Sequence, residues 1–249
     1  MTPTRQLCGI LALLVFALPC AAITAEAILD SMEANESSNT ARTEMTQAVY
    51  AADNSVNESK LVSWSAAKGE KGLMEYVSPA RIKGMKILML NDGDDIWFYS
   101  ARTARVRKIA SHQKNQSVNN SDFSYEDLST KEWRKDYTCA LTGQGEVEGV
   151  PCHIIELKSK KKSGSYSKIV FWVDTQKFVG REAHFYDENN TLWKKLFLRG
   201  VSHIGKYWTA KEIEMKNVVK GTRTVMTMDS IAYDIPLDEA MFTERSLKQ

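Results

Sequence analysis

The sequence predicts a mainly β protein with a few helices, built as an antiparallel sheet that curls on itself. Three observations predict it. From Leu61 onward, short runs alternate apolar and polar residues with period two, the pattern of half-buried strands. The breaks between runs carry hairpin chemistry, as in "NDGDD" at 91–95, "DENN" at 187–190 and "VVKG" at 218–221. Strands do not alternate with long helical patterns, which excludes a parallel sheet with crossover helices.

Residues 1–22 differ from everything after them. Arg5 precedes the apolar run "LCGILALLVFALP", and "CAA" then supplies small residues for cleavage near Ala22. This is the plan of a secretory signal peptide, and the run is too short for a comfortable membrane span. The competing reading is lipid anchoring at Cys20. Pro19 argues against it, because a lipobox has Gly, Ala or Ser at that position. The mature chain, 23–249, is read as a single domain of 249 − 22 = 227 residues. Losing Arg5 takes the formal charge from 33 − 31 = +2 to 32 − 31 = +1, too little for a global pull toward nucleic acid or anionic membrane.

In chain order, "AEAILDSMEANE" places Ile28, Leu29 and Met32 on one face at helical spacing, and "NESSN" interrupts that helix. "TEMTQAVY" leads into the first strand. Strand-like runs follow in "KLVSWSAAKGEKGLMEYVSP", "KGMKILMLNDGDDIWFYSA" and "ARVRKIAS". "QKNQSVNN" reads as a polar loop. Ser129 and Glu132 have capping-box spacing, which predicts a helical turn over 129–134. "YTCALTG", "PCHIIELKS", "SKIVFWVD", "REAHFYD", "LWKKLFLRGVSHIG", "YWTAKEIEMKN" and "TRTVMTMDSIAYD" are further strands, and "IPLDEAMFTERSL" closes with a short helical turn.

Of the four cysteines, Cys139 and Cys152 lie outside the signal segment. They sit in two strand-like runs flanking "TGQGEVEG", and an even pair in an exported chain predicts a disulfide across the hairpin. Metal binding by Cys152 and His153 is disfavoured, since adjacent ligands have no further Cys or His nearby.

Motifs for phosphate binding, a nucleophile elbow and zinc coordination are absent from the sequence. His112, His153, His184 and His203 lie on different segments. "DGDD" resembles the start of a calcium loop but lacks the downstream ligands, and reads as a turn. The basic "KSKKKSGSYSK" reads as a solvated hairpin tip, with contact to lipid headgroups the weaker alternative. No metal and no cofactor are expected.

"SDFSYEDL", residues 121–128, collects Asp122, Glu126 and Asp127 with Phe123 and Tyr125. An acid/base site, a metal site and a structural corner are the three readings. The corner is favoured: Ser121 and the carboxylates cap backbone N–H groups beside the loop, and an aromatic packs inward. Elsewhere, large apolar residues alternate along strand after strand: Met89, Ile96 and Phe98, then Phe171, Phe185, Leu196, Leu198, Met226 and Met228. With Ile28 and Met32 they form either a packed core or the lining of a cavity for an apolar ligand, to which Met adapts readily.

Several blocks in order resemble the outer-membrane lipoprotein-sorting protein family, the LolA-like group of bacterial periplasmic proteins. They are "SPARIKG", "DDIWFYSARTARVRKI", "SDFSYEDL", "KIVFWVDTQKFVGREAHFYDENNTLWKK" and "YWTAKEIEMKN…GTRTVMTMDSIAYDIPLDEAMFT". The resemblance implies a half-open antiparallel β-barrel closed by a helical lid. It further implies a periplasmic location and a concave face that receives acyl chains of lipoproteins or other lipids. On that reading the protein is a carrier rather than an enzyme, handing cargo from an inner-membrane transporter to an outer-membrane acceptor. The alternative is a sensor of the same fold that regulates a membrane partner. The sequence departs from the carriers at one point: they have an arginine just before the proline of "EYVSPAR", which helps hold the lid closed. Here that position is Ser78, and the nearest arginine is Arg81.

Overall fold

The computed structural model describes residues 23–36, 38–129, 133–161 and 165–249. The signal segment, Glu132 of the expected capping box and part of the basic hairpin tip lie outside the described residues. Helix α1 (Ala25–Glu36) starts where the Thr24 hydroxyl accepts the Ala27 N–H at 3.2 Å, and its buried side is Ile28, Leu29 and Met32. Fifteen strands follow among the described residues. They are β1 (Thr40–Tyr50), β2 (Val56–Ala66), β3 (Lys71–Ser78), β4 (Lys86–Leu90), β5 (Asp95–Ser100) and β6 (Arg105–Lys108), then β7 (Tyr137–Val147), β8 (Val150–Ser159) and β9 (Lys168–Asp174). The last six are β10 (Gly180–Tyr186), β11 (Leu192–Arg199), β12 (Ser202–Ile204), β13 (Tyr207–Thr209), β14 (Glu212–Asn217) and β15 (Thr222–Tyr233). A one-turn helix, α2 (Trp133–Asp136), precedes β7.

Thirteen strands make one antiparallel sheet in the order β6-β5-β4-β3-β2-β1-β15-β14-β11-β10-β9-β8-β7. The sheet is not closed, which makes it a half-open barrel with free edges at β6 and β7. Two runs read as continuous strands are each broken in two. Gly200, at φ +61°, turns the chain out of the sheet, and β12 pairs with β13 as a separate hairpin.

Residues opposite one another in the register share a face. Met89 and Ile96, Ala183 and Leu196, Leu196 and Met215, and Met45 and Met228 are such pairs, so one face carries the apolar row from end to end. That concave face is covered by α1 and by the 109–129 segment. The opposite face of β2–β6 is apolar too. Leu73, Leu88, Trp97 and Tyr99 pack there against Phe242 and Leu247 of the C-terminal 3₁₀ turns, Glu239–Met241 and Arg245–Lys248. Burial on both faces accounts for the unbroken apolar run "KILML".

The expected disulfide is overturned: Cys139 and Cys152 are both free. The β7–β8 hairpin turns on Glu148 and Gly149, both at positive φ, so that Val147 faces Val150. That register sets Cys152 opposite Gly145 and Cys139 opposite Leu157. The two cysteines are thus about 20 Å apart along the strands, far beyond disulfide reach. Alkylation of denatured, unreduced protein is expected to modify both thiols.

Gly93 closes the β4–β5 turn at φ +86°, and a Cβ there would stand 2.0 Å from the Ser129 Cβ. Gly93→Ala is therefore expected to cost about 2 kcal/mol or more, from backbone strain plus overpacking. Gly143→Ala on edge strand β7, where a Cβ meets nothing within 4 Å, is expected to stay within about 0.5 kcal/mol of wild type in urea unfolding.

Candidate functional site

Nine of the eleven apolar positions singled out from the sequence divide between two buried clusters on the concave face. Ile28, Met32, Phe171, Phe185 and Met226 are buried together with Met215 and Ile169, and Leu196 packs half-buried against them. Ile96 is buried in the second cluster, with Met89 and Phe98 half-buried against it beside Leu61, Tyr76 and Ile87. Leu198 and Met228 belong to the same face by register and are half-buried. Between the clusters runs a polar seam along β1, β2 and β15, formed by Gln47, Ser59 and Thr224, all buried. Burial pushes the Tyr76 phenol beside this seam up to about 12, with its bond to Gln47 opposing the shift, so it stays protonated as a donor to the Gln47 carboxamide oxygen.

The "SDFSYEDL" stretch spans the seam. Phe123 enters the first cluster, Tyr125 the second, and Leu128 touches both. Two aspartates anchor it. The Asp122 carboxylate accepts from the Thr222 hydroxyl and, at 2.8 Å, from the Thr224 hydroxyl, while its own N–H donates to Thr224 Oγ1 at 2.8 Å. Asp127 accepts from Tyr166 OH at 2.7 Å, from Lys194 Nζ at 2.8 Å and from the Ser124 N–H and hydroxyl at 2.9 and 2.8 Å. The Lys194–Asp127 pair is only 4% exposed on either side. Burial, followed by the nearby Asp127 charge, drives the Tyr166 phenol pKa well above its ordinary value. Glu126 accepts from the Ser165 hydroxyl, and its backbone N–H donates to the Lys114 carbonyl. Further along, Lys114 Nζ donates to the carbonyls of Gly93 and Asp94 at 2.8 and 2.9 Å. These carboxylates serve as acceptors that fix a loop across the sheet, and Ser121 works within the loop, exchanging hydrogen bonds with the Phe123 backbone.

Helix α1 is held differently. Asn35 Nδ2 donates to the carbonyls of Lys177 and Phe178 at 2.7 and 3.3 Å, Asp30 pairs with Arg134, and Glu26 bonds the Cys139 thiol. The Glu26 carboxyl lies below its usual range, held there by its own backbone N–H and then by that thiol. Ser78 precedes Pro79 in a cis bond, and Arg81 is exposed at a cleft rather than reaching α1. The lid contact expected of an arginine before the proline is thus absent among the described residues.

Sequence reasoning missed Gln47, Thr222, Thr224, Tyr166 and Lys194. In "LWKKLFLR" two adjacent lysines look equally solvent-bound. Alternation from Leu196 and Leu198 sets Lys194 on the concave face, opposite Phe185 and Asn217, and leaves Lys195 on the other. The charge masked what the period of two already implied. Among the described residues no group of three metal-ligating side chains converges. No helix there is long and apolar enough to cross a membrane.

A half-open antiparallel barrel whose apolar face lies under a helix and an inserted loop is the LolA-like fold, shared with solved structures described as outer-membrane lipoprotein-sorting and LolA superfamily proteins. A Vibrio parahaemolyticus domain provisionally described as an outer membrane lipoprotein-sorting protein matches with TM-score 0.82 at 26% identity, over 89% of this chain and 97% of its own. A DUF1329 family protein from Desulfovibrio piger matches with TM-score 0.83 at 28% identity, over 89% and 98%. The LolA superfamily protein NE2245 of Nitrosomonas europaea shares the fold with TM-score 0.75 at 19% identity, over 90% and 100%. Among curated proteins, no sequence matches. Residues 68–249 match a family model described as "-like: Uncharacterized protein", and the chain belongs to that family.

Breaking the buried pair by Lys194→Met is expected to cost about 3 kcal/mol or more, since it withdraws the ammonium from a carboxylate out of water. The double variant Lys194→Met/Asp127→Asn is expected to cost less than the sum of the singles. Additive losses in urea unfolding would show that the pair does not hold the loop.

Proposed function

We propose that residues 23–249 form one domain that carries acyl chains of lipoproteins or other lipids through the periplasm, residues 1–22 being its export signal. The observation that carries this reading is what covers the concave face. Neither α1 nor the 109–129 segment belongs to the sheet, yet together they cover its apolar row. Displacing them exposes Met, Phe, Leu and Ile on either side of the polar seam, the flexible lining that an alkyl chain fills well. Each methylene removed from water contributes about 0.8 kcal/mol, so an alkyl chain replaces in kind the burial that Phe123, Tyr125 and the α1 side chains give up when the cover is displaced.

Binding of this kind needs no covalent step, and the carboxylates of "SDFSYEDL" serve it as loop anchors. Ser78 in place of an arginine means that α1 is released by breaking the Asn35 and Asp30 contacts instead. A membrane transporter that delivers the cargo and an acceptor that receives it belong to the same reading.

Native mass spectrometry of protein isolated from the periplasm is expected to show a co-purified acyl lipid near unit occupancy. Delipidated protein is expected to take up a fluorescent fatty-acyl probe. A clean apo mass together with no probe uptake would sink the carrier reading and leave a packed core.

A further inference from the structure

At one end of the half-barrel, the β1–β2 and β14–β15 hairpins meet the 117–122 loop around a cleft. Its two lobes, of about 170 and 340 Å³, share Val49, Asn57 and Asn120. The first lobe adds Ser59, Arg81 and Asn119, and the second adds Lys220 and Asp122. Arg81 and Lys220 are exposed, and no ion pair engages either side chain among the described residues. Asp122, the acid at this cleft, has its carboxylate occupied by the Thr222 and Thr224 hydroxyls. The cleft therefore presents two cations outside any ion pair among the described residues and the carboxamides of Asn57 and Asn120, while Asn119 is engaged with the Tyr76 phenol.

Two further observations tie this polar cleft to an apolar ligand. Beneath Ser59 lies Gln47, fully buried and opposite both Ser59 and Met226. Its oxygen accepts from Tyr76, but its Nε2 has no hydrogen-bond partner among the described residues. A buried donor of that kind costs free energy unless something else satisfies it. The hairpin ends around the cleft are apolar and face water: Val56 is 45% exposed, Val218 48% and Val219 70%. Apolar tips set beside cations suit the boundary between water and lipid rather than a free ion in solution.

We propose that this cleft holds the anionic headgroup, a phosphate or carboxylate, of the amphiphile whose chain occupies the concave face. The inference rests on the carrier reading and names its ligand chemistry. The Arg81 guanidinium matches either anion with a two-pronged hydrogen bond, and Lys220 adds a point charge from the facing hairpin. Asn57 and Asn120 supply carboxamide N–H groups. The linkage to the chain then descends along the polar seam, where Gln47 Nε2 donates to an ester or acid oxygen. The alkyl chain runs on past Met226 into the first cluster.

The test compares three probes of equal chain length on delipidated protein: a fatty acid, a lysophosphatidic acid and an uncharged monoacylglycerol. Inorganic phosphate alone is the fourth arm. The wild type is expected to bind both anionic probes about tenfold more tightly than the neutral one at low salt. Arg81→Ala/Lys220→Ala changes two exposed turn residues, so the fold is retained, as circular dichroism can verify. In it the anionic preference is expected to fall to about twofold, with the neutral probe unaffected. Equal affinity of the wild type for all three probes overturns the headgroup assignment and leaves the carrier reading standing. Failure to bind any acyl probe overturns the carrier reading itself. Phosphate alone binding as tightly as lysophosphatidic acid identifies a free-anion site and overturns the amphiphile assignment.

Discussion

An open sheet of thirteen strands with one apolar face has to keep that face from water, and the rest of this structure depends on how it does so. A second sheet would seal the face permanently. Here the cover is a twelve-residue helix and an irregular segment of the chain. An irregular cover brings unpaired backbone groups with it, and these must find partners. Within the segment, Val118 N–H donates to the Phe123 carbonyl and Tyr125 N–H to the Gln116 carbonyl, so the loop satisfies part of its own backbone. The aspartates then attach it to the sheet. Asp122 engages β15, and Asp127 engages β11 and Tyr166, two residues before β9, so both anchors lie on the half of the barrel covered by α1.

The anchors are polar and the contacts they secure are apolar. Phe123 and Tyr125 alone would slide across two oily clusters with little preference for register. A buried ion pair adds little net stability over an apolar replacement, but it penalises every arrangement in which it is not formed. Lys194 and Asp127 therefore define where the loop sits, while Phe123, Tyr125 and Leu128 supply most of the free energy of covering. A cover built this way comes off as a unit or not at all.

How legible this was in the sequence follows from the range of each signal. Periodicity is local, and it placed Ile28, Leu29 and Met32 on one helix face and Met89, Ile96 and Phe98 on one sheet face. Turn chemistry is local too, and "NDGDD" closes a hairpin. What could not be read depends on register or on distant chain. The cysteine pairing failed because a two-residue turn at Glu148 and Gly149, unlike a wide loop, fixes each cysteine opposite another residue. Lys194 shares the face of Leu196 by simple alternation, but its burial depends on Asp127, a partner sixty-seven residues away that no local pattern reveals. Gln47 in "TEMTQAVY" carries no local signal of burial, and only the sheet order shows that its strand runs down the middle of the barrel. The second covering of β2–β6 by Phe242 and Leu247 depends on a contact with the far end of the chain.

The same geometry bears on how cargo and cover communicate. Asp122 borders the proposed headgroup cleft and is also the residue that ties the loop to Thr222 and Thr224. An anion arriving between Arg81 and Lys220 comes close to that carboxylate and disfavours its present position. Displacing the Asp122 anchor loosens the segment that carries Phe123, and Phe123 is part of what the alkyl chain must replace. Headgroup capture and chain insertion then bias the same loop, the condition under which two binding events are coupled. Linkage requires the reverse as well: once the chain leaves, Phe123 returns to its cluster, Asp122 returns to its threonines and the headgroup is held less tightly. On the proposed carrier reading, accepting a lipid from one membrane and surrendering it to another depends on that reciprocity.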